Sequence, residues 1–403
     1  MKKLTAGWLK LPGLQRLFTL FHEEGATLRL VGGSVRDGLL GLPTNDIDLA
    51  VDRPPQWVQD ILVKNHIKAI PTGFDHGTIT AVLDKQTYQI TTLRLDIKTF
   101  GRKAEVAFTE DWVRDAQRRD FTINALYADK EGNLFDPVGG LEDLENRCLQ
   151  FIGNPSQRIK EDYLRILRFF RFSARFGKEP YSQEGLEACR EFASHLPHLA
   201  RERVTDEFLQ ILELPAPLYA LEVMKETGVL PYIFHPKVWE DFKTLLLLEK
   251  TMGMAPDPLL RLASFHPLLS ELKSHLRLSK VQITKLSFLL REHTPITIGS
   301  YKHFAYLWGK EHTFHAAILQ TAYHLVSKEL SLKEGTVFLE HLQTLLNTAH
   351  IPIFPLKGRD LLALHIKPGK SLGELLKAVE NWWIFENFTP DKKACIKYLK
   401  SLL

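Results

Sequence analysis

The chain has 403 residues, 44% of them apolar and 25% charged, with a formal net charge of +4. That length exceeds one ordinary core and predicts two or more domains, while the composition excludes a disordered, collagenous or disulfide-scaffolded protein. No apolar run reaches the roughly 18 residues of a membrane helix, and so mild a charge permits a nucleic-acid partner without arguing for one.

The first eighteen residues, MKKLTAGWLKLPGLQRLF, carry two lysines but no long apolar core or small-residue cleavage site. Cys148, Cys189 and Cys395 lie far apart without metal-ligand spacing and read as reduced thiols. These features predict a cytoplasmic location. From Leu28 to Ala128 short β-prone runs dominate: LRLVGG, DIDLAV, TITAVLD, TYQITTLR and EVAF, broken by Gly, Pro, Asp and Asn. SVRDGLLG and PPQWVQDILVKNH read as helices between them. From Glu142 onward the spacing is helical and Leu-rich, with Gly or Pro near the segment ends.

Gly32 and Gly33 close the first strand run and open a helix. Glycine lets the backbone turn sharply and approach an anion closely, and the N–H groups of a following helix face that spot. Ser34 and Arg36 add a hydroxyl and a guanidinium. A plain tight turn is the alternative. On the next strand the side-chain period is two, so Asp46 and Asp48 share one face. Unpaired carboxylates about 7 Å apart repel, and hard divalent cations with oxygen ligands remove that cost. A solvated strand edge is the alternative there. The two signals together, within about twenty residues, suit a nucleotide with its Mg2+.

Farther along, RIKEDYLRILRFFRF predicts one helix from about Lys160. Glu161, Asp162 and Arg165 would then lie one turn apart, with Arg168, Arg171 and Arg175 continuing the stripe. Such arginines offer forks for phosphates and a base edge; a Glu161–Arg165 ion pair and a solvated basic face are the alternative. Phe169, Phe170, Phe172 and Phe176 read as core, as do Cys148, Trp382 and Trp383.

The stretch LRLVGGSVRDGLLGLPTNDIDLAVD resembles the signature of the class II tRNA nucleotidyltransferase and bacterial poly(A) polymerase family, within the polymerase-β-like superfamily. RRDFTINALYAD resembles the family's ribose motif, DPVGGLEDL its hinge, RIKEDYLRILRFFRF its nucleotide-template helix and RERVTDEFLQIL its later neck motif, all in the family's order. KGRDLLALHIKPGKSLGELLKAVENWW is similar to the tail of relatives that add CCA. The resemblance implies an α+β fold: a mixed-sheet, polymerase-β-like nucleotidyltransferase head at residues 1–140, then an all-α neck at 141–215 and an all-α body and tail at 216–403.

It implies addition of C, C and A to the 3′ end of tRNA from CTP and ATP, with no nucleic-acid template and no membrane, pyrophosphate leaving. Asp46 and Asp48 would be catalytic and hold Mg2+. Gly32, Gly33, Ser34, Arg36, Arg119, Asn124 and Glu161 would surround the nucleotide, with Asp162 and Arg165 on the base and Arg168 and Arg171 assisting. An aspartate accepts and an arginine donates, which matches the amino and ring-nitrogen edges of cytosine and adenine and mismatches uracil and guanine. Two departures stand out: Gln89, where relatives often carry an acid, and Phe100, where they often carry Asp. An A-only, C-only or poly(A)-adding relative, or a non-catalytic RNA-binding one, stays open.

Overall fold

The structure, a computed structural model, describes residues 2–44, 46–100, 103–291 and 294–403. The side chains at 96–100 and 103–105 lie outside the described residues, and the Phe100 departure with them. The chain divides into two compact units, residues 1–235 with 270–278, and residues 236–269 with 279–403.

The first unit opens with α1 (Pro12–Glu23), whose proline suits the first helical turn and whose Leu14, Leu17, Phe18 and Phe21 form a buried stripe. There follow β1 (Leu28–Val31), α2 (Gly33–Leu39), β2 (Ile47–Val51), α3 (Pro55–Lys64), β3 (Lys68–Gly73), β4 (Thr78–Leu83), β5 (Gln86–Thr92), β6 (Arg94–Phe100) and β7 (Lys103–Phe108). After α4 (Trp112–Gln117) come the two-residue strands β8 (Tyr127–Ala128) and β9 (Leu134–Phe135). Seven strands form one mixed sheet in the order β3-β4-β5-β2-β1-β8-β9, and β6 and β7 pair as a separate hairpin. At the sheet centre β2 runs parallel to β5 and antiparallel to β1. Parallel pairing needs a long crossover, which α3, β3 and β4 supply.

The expected strands are present. Two more appear. β3 carries Pro71 and an exposed, irregular pattern, tolerable because it is a sheet edge. Only Leu93 separates β5 from β6, so the two read as a single run.

Helices complete the unit: α5 (Gly140–Glu145), α6 (Pro155–Glu161), α7 (Arg165–Phe176), α8 (Gln183–Phe192), α9 (Arg201–Glu213) and α10 (Leu218–Glu226). Side-chain caps explain several starts: Asp111 accepts from two N–H groups of α4, Asn154 from Gln157 and Ser182 from Gly185. Phe169, Phe170, Phe172 and Phe176 are buried, and Phe121, Phe151 and Phe169 pack ring against ring.

Above that apolar layer lies a polar seam. Asp120, on the loop after α4, accepts from Arg168 Nε and Nη2 on α7 at 2.8 and 2.5 Å, and from Asn124 Nδ2 at 2.9 Å. Arg168 also reaches Glu207 on α9, which receives Arg171 as well.

The second unit is helical: α11 (Glu240–Met252), α12 (Pro258–Ala263), then α14 (Lys280–Leu289), α15 (Tyr301–Trp308), α16 (Lys310–Val326), α17 (Leu332–Thr348), α18 (Gly358–Leu362), α19 (Lys370–Phe385) and α20 (Lys392–Ser401), while α13 (Leu269–His275) returns to the first unit. Trp383 is 2% exposed and its Nε1 donates to Pro390 O, and Trp382 stacks on Tyr398, so both serve packing. No helix among the described residues is long and apolar enough to cross a membrane.

The Asp120 seam has a measurable signature. Burial alone would raise this carboxyl, but Arg168 beside it and the hydrogen bonds from Asn124 and Arg168 hold it at about 2. A depressed folded-state value stabilises above the unfolded value of roughly 3.9 and is lost as pH falls through the folded one. Asp120→Asn is expected to cost about 3 kcal/mol at neutral pH, as for a buried pair that loses one partner. The gap to wild type should narrow between about pH 4 and pH 2. Urea denaturation followed by circular dichroism across that range checks it; a gap independent of pH would refute the seam.

Candidate active site

An open pocket of about 680 Å3 lies in the first unit. One wall is the end of the sheet: Val31, Gly32, Gly33, Asp48, Thr78 and Thr91. Arg118, Arg119, Asp120 and Asn124 form a second wall, and Glu161, Asp162, Arg165, Arg168, Phe172 and Arg203 a third. His76, Arg94 and Arg36 also line it. Seven arginines thus face four carboxylates (Asp48, Asp120, Glu161, Asp162), an excess of positive charge suited to a polyphosphate.

Gly32 has φ of 67° and caps α2, a left-handed conformation that favours glycine. A Cβ there would lie 3.5 Å from Asn124 O and 3.7 Å from Arg119 Nη1, against the pocket wall. Ser34 is placed differently from expectation. It is 1% exposed, and its hydroxyl donates to Val31 O at 3.0 Å and toward Asp48 O at 3.4 Å. The hydroxyl ties β1 to β2 and does not line the pocket, because the first turn of α2 faces the sheet.

Arg36 reaches the pocket but is 5% exposed. Its Nε donates to Asp37 at 2.8 Å, its Nη1 donates to Asn124 Oδ1, and the guanidinium lies 4.1 Å from the Phe176 ring centre. Burial lowers its pKa against the pull of Asp37. Asp115, 1% exposed, accepts from Arg118, Arg119 and the Tyr127 hydroxyl. Although burial opposes it, the charges of Arg119 and Arg118 hold this carboxyl far below the usual range. Two arginines are thereby fixed on the rim by an acid that sequence reasoning passed over.

Asp46 is exposed just before β2, and Asp48 is half-buried within it. Burial first, and then the charge of Asp46, raise the Asp48 carboxyl, with Arg119 opposing. Two alternating carboxylates with hard oxygen donors, the half-buried one raised by burial and by its neighbour, fit a divalent cation. Gln89 pairs in register with Asp48 across the parallel β2–β5 ladder and with Thr80 on β4, so all three share a sheet face. Its side chain is exposed and does not line the pocket.

The template helix is broken. α6 ends at Glu161, Asp162 is extended at φ −155° and ψ 105°, and α7 begins at Arg165. Asp162 Oδ1 accepts from Leu164 N at 3.2 Å, and contacts from farther along the chain meet the break. Asp162 pairs with Arg203 Nη1 and Nη2 at 3.2 and 2.6 Å, and Tyr163 stacks on His195 with ring centres 4.3 Å apart. Arg165 pairs with Glu161 at 2.7 Å, as the alternative reading had it. Asp162 and Arg165 still line one pocket, each held by its own partner. The basic stripe is not solvated either: Arg168 meets Asp120, Arg171 meets Glu207 and Arg175 meets Asp37. Arg171, a candidate nucleotide contact, does not line the pocket; Glu207 draws it aside.

Arg203, Asp120 and Arg118 line the pocket without having been singled out, although they sit inside the quoted RERVTDEFLQIL and RRDFTINALYAD runs. In the second unit Asp257, Glu311 and His315 bring potential ligand atoms within 4.8 Å of one another. The Lys285 ammonium, 2.6 Å from Asp257 and 3.1 Å from Glu311, already pairs with both of its carboxylates.

A mixed sheet that offers alternating carboxylates beside an arginine-lined pocket defines a nucleotidyltransferase. Residues 28–150 match the sequence profile described as Poly A polymerase head domain, and residues 182–242 that described as Probable RNA and SrmB- binding site of polymerase A. The chain is 34% identical over 404 residues to CCA tRNA nucleotidyltransferase 1, mitochondrial, of Homo sapiens, spanning 96% of this chain and 90% of the relative. It is 30% identical over 377 residues to the CCA-adding enzyme of Enterococcus faecalis, spanning 89% and 88%. The fold is similar to that of the Bacillus stearothermophilus CCA-adding enzyme in complex with CTP, at a TM-score of 0.69 and 23% identity over 97% of each chain. This chain belongs to the family of CCA-adding tRNA nucleotidyltransferases and poly(A) polymerases, whose members depend on a metal ion.

The shared face of Asp48 and Gln89 makes a prediction. Gln89→Glu should lower the Mg2+ concentration for half-maximal rate, because a third carboxylate strengthens a hard-cation site. A Mg2+ titration that superimposes on wild type would place Gln89 outside the metal's surroundings.

Proposed function

We propose that this protein adds C, C and then A to the 3′ end of tRNA, using CTP and ATP without a nucleic-acid template and releasing pyrophosphate. The observation that carries the reading is the joining, in one pocket, of Asp48 beside the glycine turn with Asp162 and Arg165 on the helical wall. A carboxylate site for phosphate chemistry and a donor–acceptor pair for a base edge then belong to one nucleotide.

In this reading Asp46 and Asp48 hold Mg2+, which, when bound, would sharpen the attacking 3′-hydroxyl and stabilise charge on the entering and leaving oxygens. Arg119, fixed by Asp115, and Arg168, fixed by Asp120, bind and orient the triphosphate. Preorganised donors of this kind stabilise developing charge without reorganising. Gly32 lets the backbone approach the phosphates, and Asn124, held by Asp120, accepts from Arg36 on the pocket wall. Asp162 accepts the amino group of cytosine or adenine while Arg165 donates to the neighbouring ring nitrogen. Uracil and guanine invert that order, and each mismatched buried contact costs about 1–3 kcal/mol.

The working division is a catalytic head at residues 1–140, base recognition at 141–215 and tRNA binding at 216–403. A reducing, cytoplasmic setting is part of the proposal, supported by free thiols at Cys148, Cys189 and Cys395.

The test is incubation with tRNAs ending at the discriminator base, at C and at CC, given CTP and ATP separately and together, followed by sequencing of the 3′ ends. The expected products are CC with CTP alone on the first substrate, and CCA only with both. Addition of A alone, C alone or a run of A would replace the reading with the corresponding relative. Asp48→Ala, with an unchanged melting curve, should lose at least about a thousandfold in rate, given the several kcal/mol that metal-ion charge stabilisation supplies. Near wild-type turnover would remove Asp48 from the chemistry.

A further inference from the structure

We infer that α9 is a two-point clamp on the nucleotide pocket, with Arg203 as the positioning residue that sets base selectivity and Glu207 as the one that sets the triphosphate arginine. The inference rests on the proposed reading of the base by Asp162 and extends it to a residue that does not itself need to touch the base.

Arg203 and Glu207 are four residues apart on α9, hence one turn apart on the same face. Each grips an opposite charge on the broken template segment. Arg203 places Nη1 and Nη2 on Asp162 Oδ1 and Oδ2, and Glu207 receives Arg168 Nη1 at 3.4 Å and Arg171 Nε at 2.6 Å. The clamp is rigid because α9 is anchored along its other side. Val204, Phe208, Ile211 and Leu212 are buried, and Thr205 Oγ1 donates to Arg201 O and accepts from Arg277 N.

The hydrogen-bond capacity of Asp162 turns this geometry into selectivity. An ionised carboxylate has about four acceptor positions. Oδ1 takes Leu164 N at 3.2 Å and Arg203 Nη1, and Oδ2 takes Arg203 Nη2. One position remains, on Oδ2, with the carboxylate plane fixed by the arginine fork. It suits a single N–H donor such as the exocyclic amino group of cytosine or adenine, and an oxygen of uracil or guanine would meet a lone pair. Arg165 is fixed in a complementary way. It donates to Glu161, Arg158 O and Arg118 O, which leaves two of its five N–H groups for a ring nitrogen. Without Arg203 the Asp162 carboxylate is free to rotate out of that plane, and the rotation admits the wrong bases.

The test measures kcat and KM for CTP and UTP on tRNA lacking its terminal CCA, with melting curves, for wild type, Arg203→Ala, Arg203→Lys, Glu207→Gln and Asp162→Ala. Arg203→Ala should lose about tenfold or more of the CTP-over-UTP preference, the worth of one misplaced buried polar contact. Arg203→Lys should keep the melting temperature but regain only a minor part of the preference, because a point charge cannot grip both oxygens. Glu207→Gln should raise KM for CTP and UTP alike and leave the preference intact. Full preference in Arg203→Ala, alongside its loss in Asp162→Ala, would overturn the clamp while leaving the base reading in place. Full preference in Asp162→Ala would overturn the base reading and the clamp with it. Should Arg203→Ala fail to fold, wild-type preference in Arg203→Lys overturns the proposal.

Discussion

The first unit depends on one buried carboxylate. Asp120 is 9% exposed, and a charge so placed is tolerable only when paired and hydrogen-bonded. Its partners come from both sides of the pocket. Arg168 belongs to the helical part, whereas Asn124 belongs to the loop that leads back to the sheet and passes the connection on to Arg36 and Asp37. Arg175 then closes the seam by reaching Asp37 from α7. Any shift of α7 against the sheet would strand Asp120, so the two pocket walls are held in register. Beneath the seam, Phe121 on the Asp120 loop packs on Phe169 and Phe172 of α7, adding apolar burial where the charges alone would be marginal.

The same logic governs the arginines. A pocket built for a polyphosphate needs many cations close together, and those repel one another when the ligand is gone. Here most of the pocket arginines lean on an acid that is not itself the target: Arg119 on Asp115, Arg168 on Asp120, Arg165 on Glu161 and Arg203 on Asp162. Each pair fixes a guanidinium plane in advance, which is the condition for electrostatic stabilisation without reorganisation. The cost is that some forks are consumed. Arg171 turns its Nε and Nη2 to Glu207 and leaves the pocket lining, and Arg36 gives its Nε and Nη1 to Asp37 and Asn124 while still lining the pocket.

Much of the first unit was legible in the chain because its signals are local. A glycine pair after an apolar run, a period-two pair of aspartates and apolar stripes at helical spacing depend on backbone geometry alone. β1, α2, β2, α3, β4 and β5 accordingly fall where those patterns put them. β3 was not legible, since an exposed edge strand with a proline lacks alternation. The break at Asp162 was not legible either. RIKEDYLRILRFFRF is compatible with a continuous helix; at the break Asp162 caps Leu164 N locally and is held by Arg203, forty-one residues later, beside the Tyr163–His195 stack.

Residue types and their spacing by themselves therefore determined the mixed-sheet head, the helical remainder, the alternating carboxylates and the family to which the chain belongs. Only the tertiary structure decided which acid each arginine meets, that the Ser34 hydroxyl turns inward, that Gln89 shares a face with Asp48, and that α9 reaches the pocket at all. The physical reason is range. Helix and strand patterns are set by neighbours within a turn or two along the chain, whereas an ion pair between residues forty apart exists only once packing has brought their helices together.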